Sequence, residues 1–89
     1  MPKIVVTHGV VDVERWLEYK GERADAVAAL GGSNVVDYVA QDGANAVAVA
    51  TEVDDAATLM AALSSPPPEV GAIMERHGVI PPLVIYVEQ

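Results

Sequence analysis

There is no cysteine and no phenylalanine in these 89 residues, and one tryptophan with three tyrosines makes up the aromatic complement. Without thiols the chain can form no disulfide, no thiolate nucleophile and no cysteine-ligated metal centre. Positive charge is almost as scarce: five Lys and Arg stand against thirteen Asp and Glu, a net charge of −8. A surface so acidic repels phosphate backbones and anionic lipid headgroups, and no basic cluster interrupts it. The expected partners therefore include neither nucleic acid nor membrane. No apolar run approaches the roughly 20 residues of a membrane-spanning helix. The opening MPKIVVTHG does not combine a basic start, an apolar run and a small-residue cleavage site, so a cytoplasmic protein is expected. Ala- and Val-rich, Lys-poor usage points to a bacterial, GC-rich genome. GxGxxG, GxxxxGK and GxSxG are all missing, which removes support for nucleotide folds and serine hydrolases. The histidines, His8 and His77, have no HxxxH spacing, so neither a metal nor a haem or other cofactor is implied.

What the chain has is Val, Ala, Leu and Ile: 52% of it is hydrophobic. That suffices for a single domain spanning 1–89. A chain of this length buries only about 60–65% of its unfolded surface, so self-association would help it. Lys3–His8 is β-branched and bounded by Gly9, and reads as a first strand with Ile4, Val6 and His8 on one face. Asp12 is a suitable N-cap for an amphipathic helix running to Leu30, ended by Gly31-Gly32. At about 100° per residue, Val13, Trp16, Leu17, Lys20, Ala24 and Val27 form one stripe, so Lys20 is expected along the buried face. Asn34–Gln41 and Ala44–Val53 read as a hairpin turning at Asp42-Gly43. Asp54 or Asp55 caps a helix over AATLMAAL. Pro66-Pro67-Pro68 breaks the chain, and Pro68 opens a second helical segment, EVGAIMERH, ended by Gly78. Leu83–Glu88 is the last strand.

The order is β-α-β-β-α-β with the second helix split: an α+β, ferredoxin-like domain with a four-stranded antiparallel sheet. Right-handed crossovers put both helical layers on one face of that sheet. The other face should then be polar, as in most half-covered antiparallel sheets. It is not: the first strand is apolar on both sides except Thr7 and His8, and the third is Ala on one side and Val on the other. Burial of the second face against another copy makes a homodimer the expected assembly.

The strand ending VTHGVVDVERW, the VAVATEVDD run and the closing SSPPPEVGAIMERHGVIPPLVIYVE resemble the dimeric α+β barrel superfamily, in particular small members related to antibiotic-biosynthesis-monooxygenase-type barrels. The resemblance implies two ferredoxin-like sheets packed face to face. It also implies a cleft for an apolar or aromatic small molecule, with cofactor-free isomerase, cyclase or monooxygenase chemistry among the family's activities. These families share a barrel and no one catalytic motif, and the alternative is a non-catalytic homodimeric interaction or assembly module.

Candidate site residues follow from polar groups in apolar surroundings. His8 shares the face of Ile4 and Val6, where it is either a general base or a strand-end histidine satisfied by a carbonyl. Lys20 is either a desolvated amine or a lysine whose stem lies on the sheet rim with its ammonium in water. Tyr38 and Tyr86 offer hydroxyls to orient a substrate oxygen. Trp16 is a core anchor or a ligand platform. Asp37, between Val35 and Val39, either guards a sheet edge or lines a cleft. Arg76-His77 suits the negative end of the last helix dipole.

Overall fold

The computed structural model describes residues 2–89. Its elements are β1 (Lys3–Val10), α1 (Val13–Glu18), α2 (Lys20–Ala29), β2 (Gly32–Val39), β3 (Ala46–Val53), α3 (Ala56–Ser64), α4 (Pro68–His77) and β4 (Val79–Val87). The strands form one sheet in the order β2-β3-β1-β4 with every neighbouring pair antiparallel. This is the expected ferredoxin-like α+β arrangement, with helical layers on one side.

The first helical layer is two helices rather than one. Tyr19, at φ −101° and ψ 21°, interrupts the run, and α2 restarts with Arg23 N–H bonding Tyr19 O at 2.9 Å. Asp12 caps α1 as expected, its Oδ1 accepting from Glu14 N–H at 3.0 Å. Of the two candidate caps for α3, Asp55 takes the role, accepting from Ala57 N–H at 3.1 Å and from the Thr58 hydroxyl at 2.7 Å. Pro68 opens α4, and Gly78 closes it in the left-handed region at φ 75°.

Three strand boundaries differ from the sequence reading. β2 begins at Gly32 rather than Asn34, because Gly31 turns the chain at φ 90° immediately after Leu30. The Asp42-Gly43 turn is not a two-residue hairpin. A loop spans residues 40–45, in which Asp42 Oδ1 accepts from Ala44 N–H at 3.0 Å and Gly43 sits at φ 83°. β4 begins at Val79, upstream of Pro81-Pro82. The prolines are tolerated because pairing with β1 jumps from Thr7–Val84 to Gly9–Ile80, so no ladder bond there requires their missing amide hydrogens.

Alternation in the strands sorts the residues. Ile4, Val6 and Val10 of β1 and Val47, Val49, Thr51 and Val53 of β3 are buried beneath the helices. They divide into two clusters. One joins Ile4, Val6, Val53 and Leu59 and is flanked by Leu30, Leu83 and Ile85. The other joins Val10, Trp16, Val47 and Val49. On the opposite face the register aligns Tyr38, Ala48, Thr7 and Val84 in one row and Val36, Ala50, Val5 and Tyr86 in the next. None of the described residues covers these rows, and Tyr38 and Tyr86 remain 53% and 58% exposed.

Candidate functional site

Between the two core clusters, where sheet and helices do not quite meet, lies a cavity of about 100 Å³. Its wall is apolar except for a few groups, chiefly His8 from β1, Arg23 from α2, Thr51 from β3 and His77 from α4, with Trp16 of α1 beside them.

Arg23 is the centre of the polar part. Its guanidinium carbon lies 3.8 Å from the centroid of the Trp16 ring, a stacked cation–π contact. Nε donates to Asp37 Oδ1 at 2.9 Å, in an ion pair whose side chains are 9% and 4% exposed. Nη1 donates to Trp16 O at 3.0 Å and to His77 Nδ1 at 3.2 Å. Because His77 Nδ1 accepts, its Nε2 carries the hydrogen and donates to Glu22 Oε1 at 2.8 Å. Burial holds the His77 pKa below the ordinary imidazole value; the Glu22 hydrogen bond opposes that shift and the Arg23 charge reinforces it. The ring also stacks on Tyr19, centroids 4.7 Å apart and planes inclined by 14°. Glu22 is bound in turn by Arg76, Nη2 to Oε1 at 3.0 Å. An unbroken chain, Asp37–Arg23–His77–Glu22–Arg76, thus links β2 to α2 and α4.

Two donors stand outside this network. Arg23 Nη2 and Trp16 Nε1 are fully buried and have no hydrogen-bond partner among the described residues. Buried polar groups in folded proteins nearly always find one. Both residues line the cavity.

His8 lies where β1 loses its register with β4, between the Thr7–Val84 and Gly9–Ile80 pairs. Its Nδ1 lies 2.8 Å from Gly9 O and must donate to that carbonyl, which fixes the tautomer and leaves the Nε2 lone pair free. Burial lowers its pKa, the Gly9 bond opposes this, and the Arg23 charge adds to the lowering. The ring meets Trp16 edge-on, centroids 6.2 Å apart. His8 borders the cavity on one side and, on the other, a shallow depression of the bare sheet face lined by Tyr38, Thr7 and Val84.

The sequence-derived candidates therefore separate into two groups. His8 and Trp16 meet at the cavity, and Asp37 lies inside the fold against Arg23 rather than guarding an edge. Tyr38 and Tyr86 stand on the bare sheet face and do not line the cavity. Lys20, expected on the buried stripe, is exposed. The break at Tyr19 resets the helix, and Arg23 takes the buried place. His77 is buried in the network instead of capping α4. That cap comes from Arg15, which donates to Arg76 O at 3.0 Å and Glu75 O at 3.1 Å. Arg23 itself escaped the sequence reading, though a signal was present: seven residues after Trp16, it falls within about 20° of it on a helix. Among the described residues no group of three His, Asp or Glu converges as a metal site.

No protein-family model and no curated protein matches the sequence. Solved structures do match the fold over the whole chain. An antibiotic biosynthesis monooxygenase superposes with a TM-score of 0.64 at 14% identity, over 100% of this chain and 97% of its own. A variant of SnoaB, a cofactor-independent oxygenase from Streptomyces nogalater, gives 0.65 at 14% identity over 99% and 90%. A conserved protein from Methanosarcina mazei Go1 gives 0.65 at 11% identity over 99% and 90%. The chain thus has the fold of antibiotic-biosynthesis-monooxygenase-like barrels.

Proposed function

We propose that this chain is one half of a homodimer that holds a small, mainly apolar molecule between its sheet and helices, and that His8 acts there as a general base. The observation that carries the reading is the cavity itself. It is an apolar chamber bordered by a histidine whose Nε2 is free and by Arg23 and Trp16, each with a buried N–H donor that no described residue uses. A base beside unused N–H donors suits proton abstraction next to an oxygen-bearing carbon, the opening step of isomerisation, cyclisation or cofactor-free oxygenation. The fold it shares with a cofactor-independent oxygenase is consistent with that chemistry.

The proposed dimer would bury the bare face. Two rows of Val, Ala, Thr and Tyr across four strands form an apolar surface of the kind that marks an interface. Small residues in the two central strands and tyrosines on the outer ones give it a flat middle and raised ends, a shape that a second copy complements.

Native mass spectrometry of the purified protein at low micromolar concentration tests both halves. A dimer carrying an additional small mass is the expected result, and the mass gives the class of ligand. A monomer at that concentration would overturn the face-to-face assembly. Unchanged binding of that ligand and unchanged turnover in a folded His8→Ala variant would remove the base.

A further inference from the structure

The geometry points to a specific oxygen site: Arg23 Nη2 and Trp16 Nε1 together hold an uncharged carbonyl oxygen of a ligand no larger than about a single ring. This rests on the cavity being the ligand site and goes further by naming the ligand's chemistry and the residues that read it.

The donors are the starting point. Trp16 is 0% exposed and Arg23 7%, and their two unpartnered groups belong to side chains in direct contact, guanidinium on indole. An N–H buried without an acceptor is destabilising unless something supplies one. Both side chains border an otherwise apolar cavity, and although neither nitrogen is open to a water-sized probe while the cavity is empty, what fills the cavity is the nearest source of the missing acceptor.

Charge decides what kind of oxygen. Arg23 carries a positive charge, but Asp37 already neutralises it at 2.9 Å in a buried pair. Glu22, beyond His77, is matched by Arg76 at 3.0 Å. Both imidazoles at the cavity are shifted toward their neutral forms. A carboxylate or phosphate entering this balanced site would be an uncompensated charge in an apolar chamber, which is strongly disfavoured. A ketone, aldehyde or similar oxygen accepts the same hydrogen bonds without adding charge.

Volume decides the size. An engineered apolar cavity of about 150 Å³ accommodates benzene. This one measures about 100 Å³, which limits the ligand to one small ring or a short branched chain. His8, its Nε2 free and its ring 6.2 Å from that of Trp16, borders the same cavity.

The protein supplies its own reporter. Trp16 is the only tryptophan, so a ¹⁵N-labelled sample gives a single indole N–H resonance, that of the proposed donor. Three probes of similar size separate the possibilities: cyclopentanone, methylenecyclopentane (the same shape with the oxygen replaced by CH₂) and isobutyrate. Cyclopentanone is expected to move the indole proton downfield saturably at millimolar concentration. At matched concentration methylenecyclopentane should give less than a tenth of that shift, and isobutyrate likewise. Equal binding of ketone and hydrocarbon, read on the methyls of Val49 and Leu59, would overturn the donor assignment while leaving the cavity as a binding site. Preference for isobutyrate would overturn the uncharged oxygen. Failure of all three to perturb Trp16, Val49 or Leu59 would overturn the cavity reading and this inference together. In an Asp37→Asn variant that folds, Arg23 loses its counter-ion and the preference should move toward isobutyrate by at least fivefold; an unmoved preference would refute the charge argument.

Discussion

Replacing Asp37 by Ala removes the carboxylate that neutralises a guanidinium buried under the helices. The ion pair is 2.9 Å long with side chains 9% and 4% exposed, so water screens neither charge. Breaking such a pair from one side costs about 3–5 kcal/mol, because the remaining charge is left uncompensated. Against a total stability of roughly 4–13 kcal/mol for a chain of 89 residues, that is about a quarter or more of what keeps the protein folded. With an unfolding entropy of about 2.1 cal/mol/K per residue, the melting temperature should fall by roughly 16–27 °C. Removing both charges behaves differently. In Arg23→Met/Asp37→Val the methionine takes the space beneath Trp16, and the valine continues the Val35–Val39 alternation. Most of the loss should return, leaving about 1–2 kcal/mol for the acceptors on Trp16 O and His77 Nδ1 that Arg23 no longer serves. Urea unfolding of the three proteins at one fixed concentration reads both effects. The fixed concentration matters because any self-association of the proposed kind would add to apparent stability by mass action. A loss under about 1 kcal/mol for Asp37→Ala would place the pair among solvent-screened surface bridges and refute the buried-network reasoning.

Acidification should weaken the fold before its carboxylates titrate. His8 and His77 both have lowered pKa values when folded. Below about pH 6.5 the unfolded chain therefore binds more protons than the folded one, and stability drops until the folded-state values are passed. A urea midpoint that stays flat from pH 7.5 to 5.5 would contradict this. Lowered values for Glu22 and Asp55 add a separate loss only as pH falls below their unfolded values, near 4. Two glycines should respond oppositely to alanine. A Cβ at Gly32 would lie against Val27 and 2.7 Å from Thr51 Oγ1, whereas one at Gly21 would meet nothing within 4 Å. Gly32→Ala should cost about 1–3 kcal/mol, and Gly21→Ala should gain about 0.4–1 kcal/mol; thermal melts give both signs. On the bare face, Thr7→Glu should shift the protein toward monomer in size-exclusion light scattering, by placing a carboxylate between Ala48 and Val84.

Much of this architecture was legible from pattern alone. Alternation in β1 and β3 grouped the residues that share a face without saying which face the helices cover, and Asp12, Pro68 and Gly78 marked helix ends because each does something chemical at a terminus. The β4 start was hidden because Pro81-Pro82 reads as a strand breaker unless the partner strand is known to lose register there. The site was legible in part. His8 and Asp37 stood out as polar intruders in apolar strands, but a strand says nothing about the partner its carboxylate will find. Lys20 and Arg23 both fall close to Trp16 on an unbroken helix, so the pattern could not choose between them; the interruption at Tyr19, with no Pro or Gly at that residue, leaves Arg23 buried and Lys20 exposed. His77 looked like a helix-capping cation because its buried environment is assembled by Tyr19, Glu22 and Arg23, more than fifty residues away in sequence.

The interrupted strand pairings have a consequence for how copies of this chain can aggregate. β2 and β4 are the outermost strands, and each is broken as a template. β4 carries two consecutive residues with no amide hydrogen to offer, and β2 contains Asn34 at φ 52° within a stretch where its register with β3 shifts. Neither margin presents the unbroken row of donors and acceptors on which sheets extend into ribbons and fibrils. A protein this rich in β-branched residues is thereby steered away from open-ended polymerisation along its sheet margins.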